Sequence, residues 1–140
     1  MLRDLAHHLN HEADFTATLD DVRRDAFGQA RQYESVLAEL GDRPAGLATY
    51  FPMYSTYKGR PCLYLDNLFV EDWARGLRVG RALMAEVCRV AVARDCCRVE
   101  LKVLHNNPAR GFYEALGMAP SAERPYVIQA EAMHRLTGET

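Results

Sequence analysis

Hydrophobic residues in this chain follow two periods, and each period predicts a different kind of element. Where they recur every three or four positions, they form one stripe of a helix. Cap residues support two of these helices, because Thr18 and Asp21 form a capping-box pair and Asn107 precedes a proline at a favoured helix start. The predicted helices are Leu2–Leu9, a short helix after Thr18, Val79–Arg94, Asn107–Gly117 and Glu131–Leu136.

Alternating and continuous apolar runs between the helices predict a β-sheet. The run Leu63–Val70 is apolar on both alternating sets, as in a central strand, except for Asp66 and Asn67 at its middle. Two polar residues inside a buried strand require an explanation. The predicted strands are Ser35–Leu40, Gly46–Phe51, Leu63–Val70, Arg98–Leu104 and Tyr126–Ile128.

Length, charge and hydropathy narrow the possible functions. A chain of 140 residues with 49% hydrophobic residues can bury a core as one domain, residues 1–140. Its formal net charge of -2 offers no basic patch for a phosphate backbone, so we expect no nucleic-acid partner. No apolar run reaches the length of a membrane span and the N-terminus lacks a signal-peptide layout, so we expect no membrane association and a cytoplasmic location.

Histidine and cysteine spacing indicates no metal site. His7 and His11 lie one helical turn apart, but no acidic or cysteine residue completes a ligand set on that face, so we interpret them as solvated. The cysteines show no CxxC pair and are interpreted as reduced packing residues. They are Cys62, Cys88, Cys96 and Cys97. We therefore predict that the protein has no metal cofactor.

A glycine-containing turn joins the central strand to the long helix. Glycines at a helix N-terminus let backbone N–H groups approach a phosphate, so this turn is a candidate anion site. A glycine pair before a helix is a weak signal, and an ordinary strand–helix turn explains it equally well on its own. The candidate residues are Arg75, Gly76, Leu77, Arg78, Val79, Gly80, Arg81 and Ala82.

Three segments in this order resemble the GNAT acetyltransferases. They are Leu63–Val70, the turn Arg75–Gly80, which fits the family's Gln/Arg-x-x-Gly-x-Gly/Ala loop, and Asn106–Gly117. The resemblance runs from about Leu2 to Leu136 and is to the branch that contains the diamine (spermidine/spermine) and thialysine acetyltransferases. It implies an α/β (α+β) GNAT fold, in which helices flank a mixed, mostly antiparallel central sheet.

The same resemblance implies an activity and a cosubstrate. The protein would transfer acetyl from acetyl-CoA to the primary amine of a small molecule, such as a diamine, a polyamine or a lysine-like compound, by direct attack in a ternary complex. The main chain of Phe69 and Val70, together with Asn106, would bind the pantetheine arm, and the loop Arg75–Ala82 the pyrophosphate. Tyr113 matches a family tyrosine near the thioester sulfur, and a phenol of pKa about 10 can protonate a thiolate leaving group.

Two acidic residues are candidates for contact with the amine. Asp66 is the candidate base, since a carboxylate beside the thioester can accept the amine's proton directly or through water. Related diamine enzymes carry Glu-Asp where this chain has Asp66-Asn67, so the side chain is one methylene shorter. Asp66 is equally well interpreted as orienting a cationic substrate or as satisfied by neighbouring backbone. Glu12 lies where diamine enzymes carry acidic residues near the amine, and a solvated surface charge explains it at least as well.

Two departures from the family pattern concern the backbone. Arg78 stands where the loop usually has its second glycine; we expect its φ to stay negative and its guanidinium to contact phosphate. If the cofactor instead needs a bare backbone at this position, Arg78 weakens its binding. The first strand of the relatives is missing, which would leave the edge of Ser35–Leu40 open to pairing with another subunit. The resemblance itself also implies a homodimer.

Two other functions stay open at the level of the sequence. A CoA-binding regulatory module without transferase activity would account for Arg78, for Asp66-Asn67 and for the missing strand. Tyr113 and Asn106 argue against it, because a protein that only binds CoA needs no hydroxyl at the sulfur. Acetylation of a protein or peptide amine is the second alternative, and it would require an open groove for an extended backbone.

Overall fold

The computed structural model of the chain describes residues 1–4, 12–104 and 106–138. At Glu12 it describes the backbone only. The predicted helix Leu2–Leu9 falls largely outside the described residues, and His7 and His11 wholly outside them. The chain divides into two units, Met1–Leu104 and His105–Thr140. None of the helices in the described ranges is long and apolar enough to cross a membrane.

The first unit carries a four-stranded sheet, α-helices and short 3-10 helices among its described residues, and residues 2–4 are helical as well. The strands are β1 (Glu34–Leu40), β2 (Arg43–Ser55), β3 (Arg60–Val70) and β4 (Val99–Glu100). The α-helices are α1 (Leu19–Phe27) and α2 (Val79–Ala93), and the 3-10 helices are Glu12–Asp14 and Asp72–Ala74.

The strand order in the sheet is β1-β2-β3-β4. β1 with β2 and β2 with β3 pair antiparallel, whereas β3 and β4 pair parallel. This mixed, mostly antiparallel sheet, flanked by helices, confirms the predicted α+β class. Within the described ranges no strand precedes β1, which lies at one edge of the sheet with β2 as its neighbour.

Cap and stripe residues explain why the helices of this unit begin and pack where they do. The Oγ1 of Thr18 accepts a hydrogen bond from the backbone N–H of Asp21 at 3.2 Å, and Asp21 Oδ2 accepts one from the N–H of Thr18 at 2.7 Å, so the predicted capping box is confirmed. The hydrogen bonds that the backbone N–H and the hydroxyl of Thr18 donate to the carboxylate of Asp21 lower its pKa. The buried stripe of α2 consists of Val79, Leu83, Met84, Val87 and Ala91.

Gly46 of β2 permits the close approach of α2 to the sheet. A Cβ at this position would lie 3.0 Å from both Leu83 Cδ1 and Val79 Cγ1, and 2.8 Å from the carbonyl oxygen of Phe69 in β3. Contacts this short would push the first turn of α2 away from the strands. The absence of a side chain at Gly46 therefore permits the first turn of α2 to lie this close to the strands.

Two predicted strands differ from the structure. The predicted strand Arg98–Leu104 is shortened to β4, Val99–Glu100. Tyr126–Ile128 is not a strand, and all three of its side chains are exposed, that of Tyr126 by 98%. Its β-branched residues favour an extended backbone, but a strand also needs a neighbour to pair with, and the described residues of the second unit form no ladder.

The second unit has two helices among its described residues, α3 (Arg110–Ala115) and α4 (Ala130–Thr137). Helix α4 confirms the predicted terminal helix. Helix α3 begins later than predicted, because Oδ1 of Asn107 accepts from the N–H of Ala109 at 2.8 Å and closes a turn ahead of the helix.

An ion pair joins the edge strand β1 to the end of α2. Two nitrogens of Arg94 lie 2.7 and 2.8 Å from the two carboxylate oxygens of Glu34, so the pair is bidentate. The hydrogen bond from Arg94 lowers the pKa of Glu34 below its ordinary 4.5.

We predict that Glu34→Gln lowers the free energy of unfolding by about 1 kcal/mol at neutral pH, because a bidentate, partly buried pair is lost. The pKa of Glu34 is lower in the folded than in the unfolded chain, so its contribution is present above pH 4.5 and is lost as the pH falls through the folded value. Denaturant unfolding of the wild type and of Glu34→Gln, at neutral pH and well below pH 4.5, measures the loss of stability and its dependence on pH. Glu39→Gln, an exposed change on the same strand, is the control. An equal deficit at both pH values would contradict the prediction.

Candidate functional site

The turn between the 3-10 helix Asp72–Ala74 and α2 exposes backbone donors. Leu77 N–H donates to the carbonyl of Ala74 at 3.4 Å, and the first bond of α2 runs from the N–H of Ala82 to the carbonyl of Arg78 at 3.1 Å. The N–H groups of residues 79–81 lie in the first turn, where no helical carbonyl is in reach. They are donors that an anion can use, and the positive end of the helix dipole favours negative charge there.

The backbone of Arg78 corrects one prediction. Its φ is +63° and its ψ is 20°, the left-handed conformation, and not the negative φ expected from the sequence. Arg78 is the N-cap of α2, and the chain must turn sharply there to enter a helix held close to the sheet. A side chain in this conformation costs on the order of 1 kcal/mol, which explains why glycine is usual at such positions. Gly76, two residues earlier, also has positive φ (81°).

Three arginines surround this turn. Arg75, Arg78 and Arg81 are all exposed, and Arg75 pairs with Asp72 at 3.2 Å. Arg75 has an ordinary φ of -66°, in contrast to Arg78. The turn therefore combines backbone donors with guanidinium groups, and both suit a phosphate.

A β-bulge in β3 explains the polar residues at the middle of this strand. Thr49 of β2 is paired with Asn67 and Tyr50 with Leu65, so Asp66 has no partner in the register. The extra residue reverses the alternation, and Leu65 and Asn67 therefore lie on opposite faces of the sheet although they are two residues apart. The side chain of Asp66 is exposed, and that of Asn67 is half-buried.

Asn67 makes two side-chain hydrogen bonds at the bulge. Its Nδ2 donates to Oγ1 of Thr49 at 2.6 Å and to Oδ2 of Asp66 at 3.2 Å. The hydroxyl of Thr49 belongs to a residue that is only 3% exposed. Thr49 carries no signal of this role in the sequence, because only the strand register shows that it faces Asn67.

Strands β3 and β4 separate after two residue pairs. They are in register only at Leu63 with Val99 and Tyr64 with Glu100 among the described residues. Leu63 N–H donates to the Arg98 carbonyl at 3.1 Å, and in the remainder of β3 this edge has no partner strand among the described residues. An open strand edge offers N–H and C=O groups to an extended ligand.

The alternation of the backbone assigns residues to this open edge. Glu71 N–H donates to Ala45 at 2.8 Å, and the Phe69 carbonyl points to Gly46, so both face β2. Successive strand residues direct their backbone groups to opposite edges, which places those of Leu68 and Val70 at the open edge. Of the two strand residues predicted to bind the cofactor, Val70 is at that edge and Phe69 is not. Leu68 is an additional candidate.

Tyr113 and Asn106 belong to the second unit. Tyr113 lies in α3, half-buried, with its ring 5.2 Å edge-on from that of Phe112, and Asn106 lies in an exposed turn before α3. Burial raises the pKa of Tyr113 above its ordinary 10.0, because the phenolate loses hydration. The phenol is therefore protonated at neutral pH and can donate a proton.

The remaining predicted site features concern Glu12 and metals. Glu12 begins the 3-10 helix Glu12–Asp14, and its side chain lies outside the described part of the chain. Over the described ranges, no group of three or more His, Cys, Asp or Glu residues is arranged to hold a metal ion.

Comparison with known proteins gives consistent matches. The Acetyltransferase (GNAT) family matches residues 2–118. A thialysine N-epsilon-acetyltransferase from Bos taurus is 29% identical over 152 residues, covering 99% of this chain and 89% of that protein. The spermidine/spermine N(1)-acetyltransferase-like protein 1 of Homo sapiens is 26% identical over 84% of this chain and 18% of its own length. The solved structure of an integron cassette protein from V. cholerae has a TM-score of 0.78 at 24% identity, over 96% of this chain and 85% of that one.

We predict that Arg78→Gly raises the free energy of unfolding by about 0.5–1 kcal/mol. Relief of the left-handed strain and loss of a cation from the helix N-terminus exceed the extra freedom of glycine in the unfolded chain. Arg75→Gly is the control: because φ at Arg75 is negative, the same change relieves no strain there and lowers stability through the freedom of glycine and the loss of the exposed pair with Asp72. Denaturant unfolding of both variants tests this, and a loss of stability in both would show that Arg78 is unstrained.

Proposed function

Because the chain belongs to the GNAT acetyltransferase family and is an N-acetyltransferase, we propose that it transfers acetyl from acetyl-CoA to the primary amine of a small molecule. The observation that carries this proposal is the geometry of β3, whose bulged Asp66 and open edge lead into the donor-rich turn Arg75–Ala82. Strand β3 thus offers a carboxylate for an amine and an open edge for an extended arm. The turn that follows it offers hydrogen-bond donors for phosphates.

Acetyl-CoA would bind along β3 and across the start of α2. The open edge at Leu68 and Val70 suits the amide groups of a pantetheine arm, which would bind like an added strand. The pyrophosphate would bind the N–H groups of the first turn of α2, together with the exposed guanidinium groups of Arg78 and Arg81. Asn106 is proposed to contact the pantetheine arm by its match to the family asparagine.

The proposed chemistry is a direct transfer within a ternary complex. Asp66 accepts a proton from the ammonium group, and the freed nitrogen lone pair attacks the thioester carbon. The carbon–sulfur bond breaks, and Tyr113, by its match to the family tyrosine, is proposed to give its phenol proton to the leaving thiolate. The second proton of the attacking nitrogen then passes to the tyrosinate, which leaves a neutral amide. Most of the acceleration comes from orientation of the two substrates, so single side chains contribute modestly.

The proposed acceptor is a small amine with additional polar or charged groups. Two of the named relatives are a thialysine acetyltransferase and a spermidine/spermine acetyltransferase-like protein, and both names point to primary amines. The exposed carboxylate of Asp66 would attract such a cation, and Glu12 is a second candidate. Diamines, polyamines and lysine-like compounds are therefore the first acceptors to examine.

We also propose that residues 1–140 form a single GNAT domain that assembles as a cytoplasmic homodimer. The match to residues 2–118 extends over both units, which supports a single domain. The edge position of β1 supports pairing with a second subunit. All four cysteines are free, as is usual in a reducing compartment.

We predict that the wild type releases CoA from acetyl-CoA when a diamine or lysine analogue is present, and that Tyr113→Phe lowers this turnover at least tenfold, because the leaving thiolate loses its acid. A thiol-detecting assay over a panel of amines measures the rate. Tyr126→Phe, which changes an exposed tyrosine of the same unit, is the control and should keep the wild-type rate.

Other results of this assay would select another function. If acetyl-CoA binds but no amine is acetylated, the protein is a CoA-binding module. If peptide amines react and small amines do not, it is a protein or peptide acetyltransferase. If acetyl-CoA does not bind at all, the proposed function is wrong.

We predict that the Tyr113 phenol ionises only above pH 10, because its burial disfavours the anion. Since the protonated phenol is the proposed active form, it remains competent up to that pH and loses activity as the pH rises further. An ultraviolet titration of tyrosinate in the wild type, minus that in Tyr113→Phe, isolates this group. A difference curve with its midpoint below pH 10 would contradict the prediction.

A further inference from the structure

Asn67 links a buried hydroxyl to the carboxylate of Asp66. Its Nδ2 lies 2.6 Å from Oγ1 of Thr49 and 3.2 Å from Oδ2 of Asp66. A side-chain amide has two N–H donors, and these two acceptors use both of them. Because an ionised carboxylate can only accept, the opposite orientation of the amide would place its oxygen against Asp66 and is unfavourable.

The β-bulge is what allows this contact between neighbouring residues. In a regular strand the side chains of consecutive residues point to opposite faces and cannot bond to each other. The register shift between Thr49 and Tyr50 leaves Asp66 unpaired and removes that restriction. The bond between Asp66 and Asn67 therefore depends on the register in which Thr49 faces Asn67.

Thr49 is a rigid anchor for this arrangement. Its side chain is buried, it belongs to β2, and it is the cross-strand partner of Asn67. Water competes little for a bond to a buried hydroxyl, so the amide of Asn67 is held firmly. Rotation of that amide away from Asp66 would also break its bond to Thr49.

We propose that Thr49 and Asn67 are positioning residues for the acceptor amine. Asn67 holds the Oδ2 atom of Asp66, so that the exposed carboxylate presents Oδ1 to a primary ammonium group. One proton passes from that group to Oδ1, and the nitrogen lone pair becomes free to form the amide bond. This inference rests on the proposed acetyl transfer and identifies what orients its base.

The test is a set of substitutions at Thr49 and Asn67, assayed by CoA release. Thr49→Val keeps the shape and removes the hydroxyl, and it should lower kcat/KM for the amine about tenfold while KM for acetyl-CoA is unchanged. Thr49→Ser retains the hydroxyl and should recover most of that loss. Asn67→Leu removes both N–H donors and should lower kcat/KM for the amine at least as much as Thr49→Val does. This second variant keeps the test valid if Thr49→Val folds poorly.

A control and a double-mutant cycle separate positioning from general stability. Ser55→Ala removes another buried hydroxyl of β2, one that accepts from the Lys58 N–H in the hairpin turn, and should not change kcat/KM. In an Asp66→Asn background, Thr49→Val should have an effect of less than about twofold, because the carboxylate it acts through is gone.

Two outcomes would overturn the positioning role. One is wild-type kcat/KM in Thr49→Val and Asn67→Leu, and the other is an undiminished tenfold effect of Thr49→Val in the Asp66→Asn background. Both differ from failure of the proposed function, in which the wild type itself acetylates no amine.

Discussion

The close contact of α2 with the sheet at Gly46 is the constraint on which the candidate site depends. A Cβ there would strike the Phe69 carbonyl of β3 and the side chains of Val79 and Leu83 of α2 at the same time. Because both elements lie against Gly46, the end of β3 and the start of α2 have little freedom there. The connecting turn must then reverse within a few residues, which forces the left-handed backbone at Arg78.

The rest of the site results from two irregularities of β3. The bulge at Asp66 places a carboxylate on the exposed side of an otherwise apolar strand, and the departure of β4 leaves the following edge open. A bulge and an open edge both reduce the stability of a sheet, and the proposed binding of an amine and of acetyl-CoA gives each of them a use. The hydrogen bonds of Asn67 to Thr49 and Asp66 offset part of this loss of stability.

Features that depend on local sequence were predicted well. The start of α1 follows from Thr18 and Asp21, which lie within one helical turn, and α2 follows from its apolar stripe, so both are encoded within short segments. Strands β1, β2 and β3 were also predicted, although β2 extends beyond the predicted Gly46–Phe51. The prediction of a strand at Tyr126–Ile128 was wrong because a strand needs a neighbouring strand to pair with. The residues of this segment carry no information about such a neighbour.

The order of elements, the family resemblance and the residue types available for chemistry can all be predicted from the sequence, because they reside in local patterns along the chain. Three features become visible only in the folded chain: the positive φ of Arg78, the bulge at Asp66 and the hydrogen bond between Thr49 and Asn67. Each of these depends on contacts between elements far apart in sequence. Register and helix packing are set by the burial of whole strand and helix faces, and only the folded chain defines those faces.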